Sequence, residues 1–230
     1  ALGQLPDLWH VHNHSLGKNP GLTQAIAQLA KEEYPMLLQP HDFAEDGRSE
    51  NFLNLGKSHE VAYPTGGQIH YAALNQRDQS FLQYVLKDHP SSVHLLANAV
   101  PCVNPPDLVK TTTSSSGIPD NLYLYPVRAV RRKNLGELAL LSASHPEIHF
   151  ANSLGPTNPS FQTTYEEWKA FGKSLDLSLT YGLGEQSNES FLELVQQAAS
   201  IINVSVAEGF GLGFLEPWSF GKSLCGRNIP

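Results

Sequence analysis

The second half of the sequence alternates short apolar segments with amphipathic ones, and this alternation restricts the fold more than any other feature. Strands are predicted near residues 122–127, 148–151, 177–181, 201–206 and 223–226, and helices near 135–144, 165–175, 191–199 and 212–220. Strands separated by helices of this length imply right-handed crossovers and a parallel sheet. The sequence therefore predicts an α/β fold.

The first half shows a similar pattern. Strands are predicted at 8–12, 36–38 and 93–96, and helices around 22–29 and 76–86, the second with Phe81, Val85 and Leu86 turned inward. Between Pro101 and Asp120 the Pro, Thr and Ser content is too high for a packed element. We predict two Rossmann-like domains, at 1–105 and 121–230, joined by a linker at 106–120. The chain begins without Met and ends after a predicted strand, so we expect both domains to be incomplete.

Composition limits the class of protein. The apolar fraction of 40% suits globular domains, and a net charge of -7 argues against a nucleic-acid partner. No apolar run reaches the roughly 18 to 20 residues of a membrane helix, although peripheral membrane contact stays open. Two cysteines without metal-ligand spacing favour a reducing compartment. These features predict a cytoplasmic protein.

A glycine-rich turn follows the strand predicted at 201–206. Its residues are Gly209, Phe210, Gly211 and Leu212. Glycines allow close approach of the backbone to a ligand, and the start of the following helix adds roughly half a positive charge. The turn therefore predicts a cradle for phosphate oxygens.

Two carboxylates flank this turn. Glu208 precedes the glycines and can accept hydrogen bonds from sugar hydroxyls, while Glu216 follows in the helix and can bind a diol such as a ribose. An ordinary strand-turn-helix with solvent-facing acids is the alternative interpretation.

Two cations lie in the turn between the strand at 122–127 and the next helix. Arg128 supplies a planar fork and Lys133 a compact charge, and together they suit a diphosphate leaving group. The alternative is a solvated basic helix start, which is unfavourable at the positive end of a helix dipole unless an anion is present.

These motifs resemble the two donor-site motifs of the family 4 (group 1) glycosyltransferases of GT-B fold. Arg128 precedes Lys133 by five residues, Glu208 opens the glycine turn, and Glu216 lies eight residues further on; residues 96–100 also resemble the end of the family's first domain. The resemblance implies that the cations bind the nucleotide diphosphate. It further implies that Glu208 contacts the donor hexose and Glu216 the ribose. Val127 and Pro217 depart from the family pattern without removing a ligand-binding group.

The resemblance also implies a role for His41, which follows the strand at 36–38 and corresponds to a histidine at the reaction centre. Gly182 and Leu183 are candidates for contacting the nucleobase. Asn13, His14 and Lys18 are candidates for an acceptor-facing loop.

The function implied is transfer of a hexose, with retention of configuration, from a UDP or GDP sugar to a sugar, glycan or small metabolite. No cofactor or metal is expected, and Glu208 and His41 are the catalytic candidates. Three alternatives stay open: a non-catalytic sugar-nucleotide-binding fragment, a sugar-nucleotide epimerase, and a metal-dependent amidohydrolase-like enzyme. The last would use His10 and His12, which alternate with His14 as metal ligands on one strand face would.

Overall fold

The computed structural model describes residues 5–100, 117–208 and 210–228. The chain divides into two compact units, Ala1–Ala99 (unit 1) and Val100–Pro230 (unit 2). Each unit contains a parallel sheet and helices, which confirms the predicted α/β class. The predicted domain bounds of 1–105 and 121–230 stay a prediction, because residues 101–116, which include most of the predicted linker, lie outside the described residues.

Unit 1 contains a four-stranded parallel sheet with the order β1-β2-β3-β4. Its strands are β1 Trp9–His12, β2 Met36–Gln39, β3 Ile69–Ala73 and β4 Ser92–Leu95. Its α-helices are α1 Pro20–Lys31, α2 Ser49–Leu55 and α3 Gln76–Val85, and a 3₁₀ helix spans Gly56–Val61. Asn19 and Asn75 cap α1 and α3 by accepting hydrogen bonds from backbone amides of the first turn.

The core of unit 1 corrects one predicted helix face. Leu82 and Leu86 are buried, whereas Phe81 and Val85 are 42% and 41% exposed. Periodicity does not select Leu82 over Phe81, because each of them has another apolar residue four positions further on. Both rows of so short a helix therefore fit the pattern equally well. Only the third of the predicted inward residues, Leu86, packs against the sheet. Phe81 is therefore available at the surface of unit 1.

Two elements of unit 1 lie outside the predicted strands and helices. Strand β3 has weak local signals, because His70 interrupts its apolar residues and two glycines precede it. Helix α2 also lacks a clear signal, since Arg48 at its N-cap makes no side-chain capping hydrogen bond and only Leu55 is buried. Both elements are held by tertiary packing rather than by local propensity.

Unit 2 contains a five-stranded parallel sheet with the order β7-β6-β5-β8-β9. Its strands are β5 Leu122–Arg128, β6 His149–Leu154, β7 Leu179–Tyr181, β8 Ser200–Asn203 and β9 Leu224–Gly226. Its α-helices are α4 Leu135–Ser144, α5 Pro159–Ser174, α6 Leu183–Gln186, α7 Phe191–Gln197 and α8 Leu212–Ser219. Hydrophobic clusters pack on its two faces, one with α4 and α5 and the other with α7.

The strand order places a crevice in unit 2. The chain runs from β5 outward through β6 to β7, then returns to the other side of β5 with β8 and β9. The loops after β5 and β8 therefore leave neighbouring strands in opposite directions. Ligands of open α/β sheets bind at such a switch point, outside the carboxyl ends of the strands.

Among the described residues, none of the helices combines the length and the apolar character needed to cross a lipid bilayer.

The loop after β1 depends on Gly17. Its φ of +77° lies in the left-handed region, and a Cβ there would overlap the backbone carbonyl of Asn51. Gly47 has a similar φ of +67°, but a Cβ added to it would meet no atom within 4 Å. We expect Gly17→Ala to lower the free energy of unfolding of unit 1 by about 3 kcal/mol or more, and Gly47→Ala by about 1 kcal/mol.

Urea unfolding measures this difference by fluorescence in a chain that carries Trp168→Phe and Trp218→Phe, so that Trp9 of unit 1 supplies the tryptophan signal. Equal losses for the two variants would show that the close approach to Asn51 is unimportant.

Candidate functional site

The first half of the site is the turn after β5. Arg131–Lys133 forms a 3₁₀ helix, and Asn134 follows with φ 53° and ψ 52°. Asparagine tolerates this left-handed conformation better than most residues, which explains its place after the lysine. The Asn134 side chain donates to Glu137 Oε2 at 2.6 Å. The turn therefore ends in a fixed conformation at the start of α4.

The second half is the loop after β8, and one carboxylate joins the two halves. Glu208 accepts a hydrogen bond from Lys133 Nζ at Oε1 and from Arg132 Nη1, at 2.5 Å, at Oε2. The side chains of Lys133 and Glu208 are only 12% and 11% exposed. Backbone contacts support the junction, since Val206 N donates to Arg132 O at 2.9 Å. Two cations thus converge on one anion at the crevice of unit 2.

The charges at this junction are shifted by burial and by one another. Burial acts to raise the pKa of Glu208, but hydrogen bonds from Lys133, Ser205 and Arg132 and the charge of Lys133 outweigh it, so the pKa lies below its usual value. Burial lowers the pKa of Lys133, and Glu208 partly opposes that shift. Glu208 is therefore ionised at neutral pH, and Lys133 carries a charge held out of bulk water.

A buried hydroxyl network supports the loop beneath the ion pairs. The Tyr125 hydroxyl on β5 lies 2.5 Å from Ser205 Oγ and donates to Asn203 Oδ1 at 3.3 Å. Asn203 Oδ1 also accepts from Ser205 N at 3.0 Å. Tyr125, Asn203 and Ser205 are all essentially inaccessible to solvent. This network therefore holds the loop after β8 at Ser205, three residues before the carboxylate of Glu208.

Arg128 lies at the end of β5, at the same carboxyl edge, but its guanidinium points to another loop. Its Nη1 donates to the carbonyl of Gly155, which follows β6, at 3.4 Å. In the structure Lys133 is therefore joined to Arg132 through Glu208, while Arg128 lies on the β6 side of the crevice. The predicted pairing of Arg128 with Lys133 at a diphosphate stays a prediction.

The glycine turn leads into α8. Gly209 lies outside the described residues. Gly211 has a φ of +81° and is the N-cap of the helix that begins at Leu212, and Phe210 precedes it half-buried. Glu216 lies in the second turn of α8, with its carboxylate unpaired among the described residues. Pro217 is accommodated within α8, and its carbonyl accepts from Lys222 N at 2.9 Å.

The candidates for the nucleobase follow β7. Gly182 has a φ of +73° and is the N-cap of the short helix α6, which begins at Leu183. Gly182 N donates to Asn152 Oδ1 at 3.2 Å. A Cβ at this position would lie 2.9 Å from Glu185 Oε2 and 3.1 Å from the Tyr165 hydroxyl. The glycine is thus required by backbone geometry, whatever role it has toward a nucleotide.

Unit 1 places three of its predicted residues at the carboxyl ends of β1 and β2. Asn13, with φ 53°, accepts hydrogen bonds at Oδ1 from the amides of His41, at 2.7 Å, and Asp42, at 3.3 Å. His41 Nε2 is hydrogen-bonded to His12 Nδ1 at 2.8 Å. Lys18 is exposed. Asn13 therefore holds the loop that presents His41.

His14 is not exposed in the loop predicted to face the acceptor substrate. It is 1% exposed, and its Nε2 donates to Ala62 O at 2.9 Å, so it holds the loop against the 3₁₀ helix of unit 1. Burial lowers the pKa of His14 to about 4. The alternation of histidines would place His14 on the same face as His10 and His12 only if the strand continued to residue 14. Strand β1 ends at His12, and Asn13 follows with a positive φ of 53° that redirects the backbone.

The histidine alternation does not produce a three-histidine site. His10 and His12 share a face of β1, with ring centroids 4.3 Å apart, and His14 has turned away into the core. Burial, and then the charges of His10 and His41, lower the pKa of His12. Over the residues that the structure describes, no group of three or more potential ligands could hold a metal ion. The amidohydrolase-like alternative therefore has no support in the described structure.

Arg132 and Tyr125 belong to the site but are not identified by sequence reasoning. Arg132 adjoins Lys133 and resembles a solvated basic residue, although its position one residue before a predicted ligand is a usable signal. Tyr125 lies inside a strand, and nothing in the sequence indicates its hydrogen bond to a residue 80 positions away.

The ion pairs predict a pH-dependent contribution to stability. Because the pKa of Glu208 is lower in the folded protein than its usual value of 4.5, its stabilising effect is present above pH 4.5 and is lost as the pH falls through the folded-state pKa. We expect Glu208→Gln to lower the free energy of unfolding by about 1 to 3 kcal/mol at pH 7. The difference from the unsubstituted chain should shrink as the pH falls below about 4.5.

Urea denaturation at a neutral, a mildly acidic and a strongly acidic pH tests this. Glu167→Gln, which removes an exposed carboxylate from α5, is the control and should leave stability unchanged at each pH. A loss that is independent of pH would contradict the electrostatic explanation.

The comparisons with known proteins agree with this architecture. No family model matches the chain. It is 28% identical over 238 residues to mannosylglucosyl-3-phosphoglycerate synthase from Petrotoga mobilis, and the match covers 96% of the chain and 46% of that protein. The chain thus spans about half the length of this relative.

Two solved structures share the fold. Anabaena HepE, in complex with UDP and glucose, has a TM-score of 0.67 at 16% identity, covering 97% of the chain and 59% of that protein. Sucrose-phosphate synthase from Thermosynechococcus elongatus has a TM-score of 0.66 at 15% identity, covering 97% of the chain and 56% of that protein. The resemblance predicted from the donor-site motifs is confirmed: the chain has the fold of the GT-B glycosyltransferases and is related in sequence to a glycosyltransferase.

Proposed function

We propose that this chain is the donor-binding unit and part of the acceptor unit of a retaining glycosyltransferase that transfers a hexose from a nucleoside diphosphate sugar. The observation that carries the proposal is the junction of Lys133, Arg132 and Glu208 at the switch point of the unit 2 sheet. It combines clustered positive charge with a hydroxyl-binding carboxylate at the position where α/β sheets bind ligands.

The diphosphate is assigned to Lys133 and Arg128, with the backbone amides of Phe210, Gly211 and Leu212. Lys133 approaches from the loop after β5, and the α8 N-terminus approaches from the loop after β8. When the glycosidic bond breaks, negative charge accumulates on the diphosphate. Fixed cations and helix amides stabilise that charge more in the transition state than in the ground state, so in this proposal they supply what a metal ion supplies elsewhere.

The two carboxylates are assigned to the two sugars of the donor. Both carboxylate oxygens of Glu208 are engaged by cations, which fixes its orientation for hydrogen bonds from the hexose hydroxyls. Glu216, in the second turn of α8, is assigned to the ribose diol, since its carboxylate is unpaired in the part of the chain that the structure describes. The nucleobase is assigned to the backbone at Gly182 and Leu183.

The transfer step assigns the role of base to the substrate itself rather than to a carboxylate of the chain. The departing phosphate accepts the proton of the acceptor hydroxyl as the hydroxyl oxygen bonds to the anomeric carbon and the bond to the phosphate oxygen breaks. His41 is assigned to the donor sugar, where its position depends on Asn13 and His12. The acceptor is a sugar, a glycan or a small metabolite.

The proposed donor is a UDP or GDP sugar, and the related proteins give support for UDP and for a hexose. HepE is described in complex with UDP and glucose, and the Petrotoga relative is named for a product that contains two hexoses. A hexose on a nucleoside diphosphate is therefore the donor class to test first. The proposed location of the protein is the cytoplasm.

The donor site is tested by calorimetric titration of the chain with UDP, GDP and ADP. We expect one nucleotide to bind, and expect Arg128→Ala and Lys133→Ala each to weaken it about ten-fold or more, because each removes a hydrogen bond between charged groups. The double variant should show no detectable binding.

Lys173→Ala removes an exposed cation from α5 of the same unit and serves as the control, with unchanged affinity expected. Binding that survives in the double variant would refute the assignment of the diphosphate site.

The reaction is tested by proton NMR of the anomeric region after incubation with UDP-glucose and GDP-mannose. Slow hydrolysis of these α-linked donors should release the α-hexose first, since the mechanism retains configuration. Release of the β-anomer first would contradict retention. An epimerised nucleotide sugar among the products would indicate the epimerase alternative. Nucleotide binding without turnover would favour a non-catalytic fragment.

A further inference from the structure

Unit 1 contains a small cavity that none of the assigned donor-site residues lines. It has a volume of about 290 Å³ and is lined by Phe43, Glu45, Asp46, Arg77, Asp78 and Phe81. Half of these residues follow β2 and half lie at or near the start of α3, which follows β3. The cavity therefore opens at the carboxyl ends of two neighbouring strands, where parallel sheets bind ligands.

One wall of the cavity is aromatic. Phe43 is buried at 5% exposure, and Phe81 packs edge-on against it with a centroid distance of 5.3 Å while remaining 42% exposed. Phe43 also packs against Tyr63, at 6.5 Å. An aromatic face fixed from behind and open in front provides apolar contact for the C–H face of a sugar ring.

The polar wall is held in place by ion pairs. Arg77 Nη2 donates to Asp46 Oδ2 at 2.8 Å, and Arg77 Nε donates to Asp78 Oδ1 at 2.9 Å. Asp78 is further fixed by Asn75, whose Nδ2 donates to its Oδ2 at 2.8 Å. The guanidinium is therefore clamped across the opening before any ligand enters, which lowers the ordering cost of binding.

Two carboxylates keep an oxygen available. Glu45 uses Oε2 to accept from the Tyr63 hydroxyl at 3.0 Å, and Asp46 uses Oδ2 to accept from Arg77. The other oxygen of each is unpaired among the described residues. Arg77 Nη1 is likewise an unpaired donor in that part of the chain. The cavity thus offers both acceptors and donors, and a hydroxyl group matches both.

Charge then selects among small ligands. Three carboxylates and one guanidinium line the cavity, so an anionic ligand is repelled. A cation would meet Arg77 in the middle of the polar wall. A neutral ring with several hydroxyl groups satisfies both walls, and the volume suits one ring rather than a chain of them.

We propose that this cavity binds a neutral monosaccharide, with Phe81 under the ring and Asp46, Glu45 and Arg77 on its hydroxyl groups. Resting on the proposed function, the bound sugar is the acceptor or the sugar portion of the acceptor. If so, the cavity of unit 1 binds an uncharged sugar in preference to a charged one.

Saturation-transfer NMR on the 230-residue chain measures binding of methyl α-glucopyranoside and methyl α-mannopyranoside, with glucose 6-phosphate as the anionic comparison. We expect at least one neutral glycoside to bind and the phosphate to bind more weakly. Phe81→Ala should weaken binding about three- to ten-fold, and Asp46→Ala about ten-fold.

Two matched variants serve as controls. Phe52→Ala removes a phenylalanine of 43% exposure from α2, and Asp88→Ala removes an exposed carboxylate after α3; neither lines the cavity, and both should bind as the unsubstituted chain does. Thermal unfolding confirms that each variant is folded. Because Phe81 and Asp46 are on the surface, loss of the fold is not expected in either.

Sugar binding unaffected by both Phe81→Ala and Asp46→Ala would overturn the proposal, as would preference for the phosphorylated sugar. Calorimetry with UDP and GDP separates this outcome from failure of the proposed function. Nucleotide binding without a Phe81-dependent sugar signal refutes the cavity alone. A Phe81-dependent sugar signal without nucleotide binding refutes the transferase and leaves the cavity as a sugar site.

Discussion

The ion pair between Lys133 and Glu208 joins two loops that are 75 residues apart in the chain. Neither side chain is stable alone at this depth, because a buried charge without a partner is costly. Each loop therefore depends on the other: the 3₁₀ turn places Lys133 and Arg132, and the carboxylate holds the loop after β8 against them. The parallel pairing of β5 with β8 makes this meeting possible, since it brings two carboxyl ends side by side. The donor site of the proposed function depends on this contact, because the same lysine and the same carboxylate would contact the diphosphate and the hexose.

Rigidity beneath the ion pairs comes from uncharged groups. Tyr125, Asn203 and Ser205 are buried and hydrogen-bonded to one another, so the loop after β8 cannot shift without breaking bonds that water cannot replace. Burial raises the pKa of Tyr125, which keeps its hydroxyl protonated and able to donate. A charged site is thus supported by a neutral layer. Such a division is useful in a transferase, since the charged layer must respond to developing negative charge while its geometry stays fixed.

The strands and helices of unit 2 are largely predictable from the sequence, because each short apolar run is separated from the next by a helix of sufficient length. Prediction fails where local signals and tertiary packing disagree. Strand β3 contains a histidine, and α2 has no capping side chain, so only their packing against the rest of unit 1 makes them regular. At the site, motif spacing identifies Lys133 and Glu208 but not their direct contact. Sequence reasoning does not identify Arg132 as a site residue, because motif spacing gives the positions of residues and not the directions in which adjacent side chains point.

The corrected face of α3 shows why such differences carry functional information. A helix with apolar side chains at 81, 82 and 85, followed by another at 86, has more apolar surface than its contact with the sheet can cover. Leu82 and Leu86 fill the core, and Phe81 is left edge-on to Phe43 and partly exposed to solvent. A partly exposed aromatic side chain, next to a clamped guanidinium and several carboxylates, matches the composition expected of the proposed sugar-binding surface. The excess of apolar residues over the needs of the core is therefore the sequence signal behind the proposed sugar site, and it can be recognised only once the residues of the core are known.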